Sequence, residues 1–295
     1  MTKQNHPTRR HFLAAAVATT ACGLAKPASP VPSHNTSDDA LPAITDTHVY
    51  VGDWPHRELG GRNAADLPAL LRRNQVTQAW VGCFDGLFHK DIAAVNERLA
   101  KFCTQQSETK LLPFGTVNPM LPDWEDDLCR CHEKFRMPGI RLHPGYHGYT
   151  LDDPRFAKLL LLATERRHIV QLVARLDEAP HKWLSPRFTQ VELGPLVEIL
   201  PTLPELRLLI FGGNVATYDK ATSTIAGMNQ VYCDFKGTVS GSKLTGRTLI
   251  SRTVFASAVP LHPIASLLKQ LQTERMDGVQ RRAIAFETAA RLIKV

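Results

Sequence analysis

Eight short apolar, β-favouring runs alternate with helical patterns from about residue 43 onward, and this alternation leaves few folds open. The runs are Ile44–Gly52, Val76–Phe84, Leu111–Val117, Gly139–His143, Ile169–Arg175, Leu206–Phe211, Gln230–Phe235 and Thr253–Val259. Strands separated by helices pair in parallel, and eight of them predict a closed (β/α)8 TIM barrel rather than an open doubly wound sheet. Helices are expected at Ala64–Asn74, Asp91–Cys103, Asp123–Phe135, Asp152–Ala163, Glu192–Leu203, Pro263–Leu271 and Val279–Lys294. Ile92, Val95, Leu99 and Phe102 recur at helical spacing. Acids crowd the first turn of 123–135, where the helix dipole favours them. A polar excursion from Leu176 to Gln190 interrupts the pattern. No Gly-x-Gly-x-x-Gly follows the first strand, so a dinucleotide-binding fold lacks its phosphate turn. The 295 residues suffice for one barrel of about 250 residues.

Ahead of the barrel, residues 1–25 have the layout of an export signal. A basic segment with Arg9-Arg10 and Phe12-Leu13 precedes the small, apolar run Ala14–Ala25. The paired arginines resemble a bacterial twin-arginine signal, which implies a protein exported folded to the periplasm or beyond. Cys22, in Thr-Thr-Ala-Cys-Gly, is a poor match to a lipoprotein cleavage box, which argues against a lipid anchor. Residues 26–42, rich in Pro, Ser and Asn, are expected to be a disordered linker.

The net charge of +7 owes much to this leader. Lys3, Arg9, Arg10 and Lys26 lie there without an acid, leaving 31 basic against 28 acidic residues in the remainder. No basic block interleaved with aromatics remains, which excludes a nucleic-acid partner. No uncharged apolar run of 18 residues follows the leader, so no membrane span is expected. Cys83, Cys103, Cys129, Cys131 and Cys233 are odd in number and irregularly spaced, which is no disulfide framework. Cys129-Arg-Cys131 lacks a second Cys/His pair at zinc spacing.

Strand side chains alternate faces, so Asp46, His48 and Tyr50 point the same way, into a barrel if one forms. By the same rule Arg141 and His143 share a face on strand four, with Tyr146 and His147 on the loop beyond. Gln171 and Arg175 share one on strand five, and Asp234 and Lys236 one on strand seven. A concave mouth lined by arginines suits a carboxylate, which the guanidinium fork meets bidentately. Arg141 and Arg175 serve equally well as structural partners closing the barrel layers. His48 and His143 titrate near neutrality and suit general acid or base work. His89, His132, His168 and His181 fall in loops or helices and are expected at the solvated surface.

Several motifs together resemble the amidohydrolase-related, metal-dependent hydrolases. Asp46-Thr-His-Val-Tyr50 is similar to that group's first-strand Asp-x-His-x-His, and Pro138–Tyr146 with Asp152–Phe156 is similar to its fourth strand and next helix. Leu206–Gly213, Phe255-Ala-Ser-Ala-Val-Pro260 and Ala289–Leu292 resemble the sixth strand, the eighth strand and the closing helix. The resemblance implies a divalent metal held by two first-strand histidines, histidines after strands five and six, and an aspartate after strand eight. Carried over, only His48 survives. Tyr50, Phe211 and Ala258 stand at three of the other positions, and strand five holds no histidine. No metal or other cofactor is therefore expected, since a catalytic ion wants about three protein ligands and an open position. Metal-independent lactonases within the same superfamily are a partial analogy, because they keep the strand-eight aspartate.

Two functions stay open on this reading. One is an exported, metal-independent hydrolase or lyase acting on a small carboxylate or lactone, with His48 and His143 moving protons. There Arg141, Tyr146, Gln171, Arg175, Asp234 and Lys236 would bind the substrate. The other is a pseudoenzyme that binds a small anionic ligand or a protein partner through the same mouth. Substrate and oligomeric state are not legible in the chain.

Overall fold

Alternating apolar and polar positions, interrupted by glycine, proline and capped helices, produce a single eight-stranded sheet ordered β1 to β8, every pair parallel. The computed structural model describes residues 43–55, 59, 66–176, 191–212, 220–236 and 250–294. The expected signal (1–25), the linker (26–42), Cys22, His181 and Gly213 lie outside the described residues. The strands are β1 Ile44–Val51, β2 Val76–Cys83, β3 Lys110–Thr116, β4 Gly139–Leu142, β5 Ile169–Val173, β6 Arg207–Phe211, β7 Val231–Asp234 and β8 Thr253–Val254. The helices are α1 Asp66–Arg73, α2 Asp85–Phe88, α3 Ile92–Thr104, α4 Trp124–Glu133, α5 Pro144–His147 and α6 Pro154–Glu165. They continue with α7 Leu196–Ile199, α8 Lys220–Gly227, α9 Ile264–Thr273, α10 Gly278–Arg282 and α11 Thr288–Lys294. None of the described helices is long and apolar enough to cross a membrane.

The barrel closes through a stretch that is mostly not regular strand. β8 spans two residues, far short of the expected run to Val259. The backbone beyond it still pairs with β1: Thr47 N–H donates to the Phe255 carbonyl (2.9 Å), Ala258 N–H to the His48 carbonyl (2.8 Å) and Tyr50 N–H to the Val259 carbonyl (2.8 Å). Ala258 sits at φ +59°, in the left-handed region, and this turn breaks the ladder. Asp46 reinforces the seam, accepting from the Ser257 N–H (3.0 Å) and the Ser257 hydroxyl (2.5 Å).

Other departures have local causes. The expected helix at Glu192–Leu203 shrinks to α7 plus one 3-10 turn, Leu200–Thr202, because Pro195 and Pro201 punctuate it. The closing helix is continuous in outline but holds a π-turn at Ala283–Glu287, where the Ile284 carbonyl accepts from the Phe255 N–H (3.0 Å) of the seam. The cap before α6 is Asp153, accepting from the Arg155 N–H (2.9 Å). His168 is a correction to the expected solvated histidine: it is 2% exposed at the foot of β5, and neither ring nitrogen finds a partner.

Two layers of apolar packing follow from strand alternation. Outward positions such as Val81, Ile140, Val170 and Leu208 pack under the helices. Inward positions fill the barrel with Tyr50, Trp80, Phe114, Ile169, Leu209 and Phe211. The Trp80 and Phe114 rings stack at 4.8 Å. The barrel is a filled core, and the site lies above this packing.

Candidate active site

A break in β1 organises the interior. Pairing of β1 with β2 shifts register between Asp46 and Val49. Arg141, fully buried on β4, reaches across the barrel to carbonyls on both of these strands. Its Nη1 donates to the Val49 carbonyl (2.8 Å), and its Nη2 to the carbonyls of Trp80 (2.9 Å) and Thr47 (3.3 Å). Its Nε donates to Gln171 Oε1 (2.7 Å), whose amide in turn donates to the Thr47 carbonyl (3.0 Å). Gly82 leaves the space: a Cβ there would lie 2.6 Å from Arg141 Nη1. Arg141 and Gln171, expected to bind an anionic substrate, thus form a strut directed at the backbone. Its guanidinium also lies over the Tyr50 ring, 4.6 Å from the centroid.

Above this strut, three side chains join. Tyr50 Oη lies 3.0 Å from His48 Nε2 and 2.9 Å from His143 Nε2. A hydroxyl has one proton, so it donates to one imidazole and accepts from the other. A proton gained by either ring can pass to its partner through the phenol. Burial is the largest influence on all three groups. It drives both histidines well below the usual imidazole range, helped for His48 by Arg141, His143, His262 and Lys236 and for His143 by His147 and Arg141. It pushes Tyr50 up to about 12 against the opposing pull of Arg141. Asp46 is raised to about 6, again by burial, against the Ser257 hydrogen bonds. At neutral pH the two imidazoles and the phenol are therefore uncharged, with the Arg141 guanidinium beside them.

The residues standing at the implied ligand positions all touch His48. Tyr50 bonds its Nε2, the Phe211 ring stacks flat on it (4.2 Å, 9°), and Ala258 bonds its carbonyl. Among the described residues no three His, Cys, Asp or Glu side chains group as metal ligands. The donor set does not fit the catalytic ion that the fold family implies: one ligating nitrogen is engaged by a phenol and its ring face by a phenyl.

The remaining expected residues disperse. Arg175 lies beyond the end of β5 and is exposed. Asp234 is the last residue of β7 and accepts from the Gly212 N–H (3.3 Å), while Lys236 follows in helical backbone, so the two do not share a strand face. Tyr146 belongs to a cover over His143 that the sequence reading did not anticipate. Trp54, Phe84, Phe88 and Tyr146 meet edge-on or tilted at 5.0–6.3 Å, and Phe84 stacks on Tyr50 at 4.5 Å. His147 Nε2 donates to the Gly86 carbonyl (2.9 Å), fastening α5 to α2. Phe84-Asp-Gly-Leu-Phe88 was the available signal, a bulky run beyond the end of strand two. Gly86 is packed so tightly that an added Cβ would lie 2.2 Å from Thr116 Oγ1. Gly86→Ala is expected to lower stability by about 1–3 kcal/mol through overpacking, read as a fall in the thermal midpoint; an unchanged midpoint would show the cover to be loose.

No protein-family model matches the chain, and no curated protein is significantly similar to it. Solved structures with the same fold are found. A 5-carboxyvanillate decarboxylase from Sphingomonas paucimobilis aligns over 87% of this chain and 100% of its own, with a TM-score of 0.65 at 13% identity. A putative amidohydrolase from Staphylococcus aureus aligns over 86% and 100% (0.64, 13%). A 2,6-dihydroxybenzoate decarboxylase from Rhizobium aligns over 85% and 98% (0.63, 13%). The chain thus has the TIM-barrel architecture found in amidohydrolases and these decarboxylases.

Proposed function

We propose that this chain is an exported barrel of amidohydrolase ancestry that carries out hydrolysis or a lyase step on a small carboxylate or lactone without a bound metal. The observation that carries the reading is the Tyr50 hydroxyl held between His48 Nε2 and His143 Nε2 at 3.0 and 2.9 Å. Such an array lets one imidazole take a proton from water or substrate while the other returns one, with the phenol passing it between them. Arg141 does not bind substrate in this scheme. It holds the Tyr50 ring and adds positive potential, as Lys236 does near His48. That potential favours an anion, and two of the barrels of similar fold act on carboxylates. Tyr146 then covers the substrate, while Arg175 and Asp234 stand further out as candidates for its distal part.

The test is turnover on a panel of lactones, carboxylate esters and aryl carboxylates, with and without chelator. Turnover indifferent to chelator is expected, with kcat/KM reduced at least ~100-fold in both His48→Ala and Tyr50→Phe. Stoichiometric zinc surviving dialysis, or full activity in His48→Ala, would contradict the proposal. A second reading, binding without turnover, is favoured by the depth of the array: His48 is 4% exposed and His143 1%. Saturable binding of the same anions with no product formed would decide for it.

A further inference from the structure

The segment that closes the barrel also holds the His48–Tyr50 pair. β1 pairs with β2 at Asp46 and again at Val49, and neither Thr47 nor His48 has a register partner on β2 between them. The backbone of His48 is met instead by Asp46 and by the turn 257–259. The His48 N–H donates to Asp46 Oδ1 (3.1 Å), and its carbonyl accepts from the Ala258 N–H (2.8 Å). Tyr50, two residues on, donates its N–H to the Val259 carbonyl (2.8 Å). Both partners of the 3.0 Å contact between His48 Nε2 and the Tyr50 hydroxyl are thus tied to one turn. That turn is itself pinned to Asp46. Oδ1 accepts a second bond from the Ser257 N–H (3.0 Å), and Oδ2 accepts from the Ser257 hydroxyl (2.5 Å). Ser257 Oγ in turn accepts from the Val259 N–H (3.0 Å). Ala258 lies between them in the left-handed region at φ +59°, a conformation that a non-glycine residue keeps only where its surroundings enforce it. Asp46 and Ser257 are 0% and 3% exposed, so water does not stand in for these bonds.

We propose that Asp46 and Ser257 are positioning residues: their paired bonds fix the turn 257–259 against β1 and so hold His48 Nε2 at the Tyr50 hydroxyl, a role that rests on this array being the working site. They act through the backbone and not on a reacting group. The test is 15N-histidine magnetic resonance of the full chain at pH 7.5. There the Nε2 signal of His48, assigned with His48→Ala, reports the bond to the phenol, and Tyr50→Phe marks its position without that bond. Ser257→Ala and Asp46→Ala are each expected to move the signal most of the way to the Tyr50→Phe position. Asp46→Asn restores it, because Oδ1 keeps both N–H donors and Nδ2 donates to Ser257 Oγ in place of the lost acceptor. Thr47→Val controls for stability alone. The Thr47 hydroxyl crosses the same seam to the Phe255 carbonyl (2.9 Å), which keeps the Thr47 N–H, so this variant is expected to leave the signal at its parental position. Where the panel yields a substrate, Ser257→Ala is expected to lower kcat up to ~100-fold at unchanged KM, the cost of a catalytic group displaced by about 1 Å. The signal needs no substrate, so an inert panel overturns the proposed function and leaves this result standing. A His48 signal unmoved by Ser257→Ala, or moved equally by Thr47→Val, overturns the proposal whatever the thermal midpoints do.

Discussion

Arg141→Met is expected to lower the unfolding free energy by about 3–5 kcal/mol, a large fraction of the ~5–15 kcal/mol that holds a native protein folded. Methionine roughly matches the volume, so the loss is not a cavity effect. It arises because the carbonyls of Val49 and Trp80 and Oε1 of Gln171 lose a donor, and the Thr47 carbonyl loses one of two. Each buried acceptor left unmet costs about 1–3 kcal/mol. Against this, removing a buried guanidinium recovers its desolvation penalty, which is several kcal/mol. The loss wins because three acceptors lose the donor that Arg141 supplies, the Thr47 carbonyl keeps only Gln171, and none can reach water inside a filled barrel. Arg141→Lys tests geometry separately from charge: a single ammonium cannot serve carbonyls on two strands and the Gln171 amide at once, so an intermediate loss is expected. Urea unfolding with an unchanged m-value measures both. A Met variant within 1 kcal/mol of the parent would show that the strut is dispensable.

This strut also marks where the sequence stops being legible. Local periodicity revealed the eight strands and most helices, because each needs only its own residues to alternate or recur. His48 and Tyr50, two apart on β1, meet side chain to side chain, while the Asp46 carboxylate bonds Ser257 at the seam. The roles of Arg141 and Gln171 turned on carbonyls of β1, about 90 residues away from β4, which no pattern within strand four encodes. The bond between Asp46 and Ser257 spans 211 positions and was equally invisible. Single-turn helices such as α2 and α5 escape a reading that asks for two turns of periodicity, and the aromatic cover rests on them. His168 looked like a loop histidine because burial at the foot of the barrel depends on what packs over it. Chemistry written along one strand can be read from the chain; chemistry assembled across strands cannot.

Acid is expected to unfold this protein early, with the thermal midpoint falling by at least about 10 °C between pH 7.5 and pH 5. Four histidines set the sign. His48 and His143 are held well below the usual imidazole range, His147 is lowered, and His168 is pushed down to about 3, burial being the main cause in each. In the unfolded chain they titrate near 6.5. Below that pH the unfolded state takes up protons that the folded state refuses, so stability present above pH 7 drains away as pH falls. At pH 5 His168, pushed down to about 3, has given up about 2 kcal/mol, and His48, His143 and His147, all lowered by burial, act in the same direction. Asp46 works the other way. Its folded value of about 6 lies above 3.8, so the fold binds a proton first as pH drops and regains stability between those values. That recovery amounts to about 1.4 kcal/mol by pH 5, too little to offset the histidines. The two contributions separate by mutation. His168→Leu should flatten the acid limb by one proton's worth of slope, since neither of its nitrogens is bonded and leucine forfeits nothing there. Asp46→Asn should remove the opposing term and steepen the limb between pH 6 and 4. A midpoint constant from pH 7.5 to 5 would mean that these imidazoles are hydrated after all, and the buried relay from His48 to His143 would fall with them.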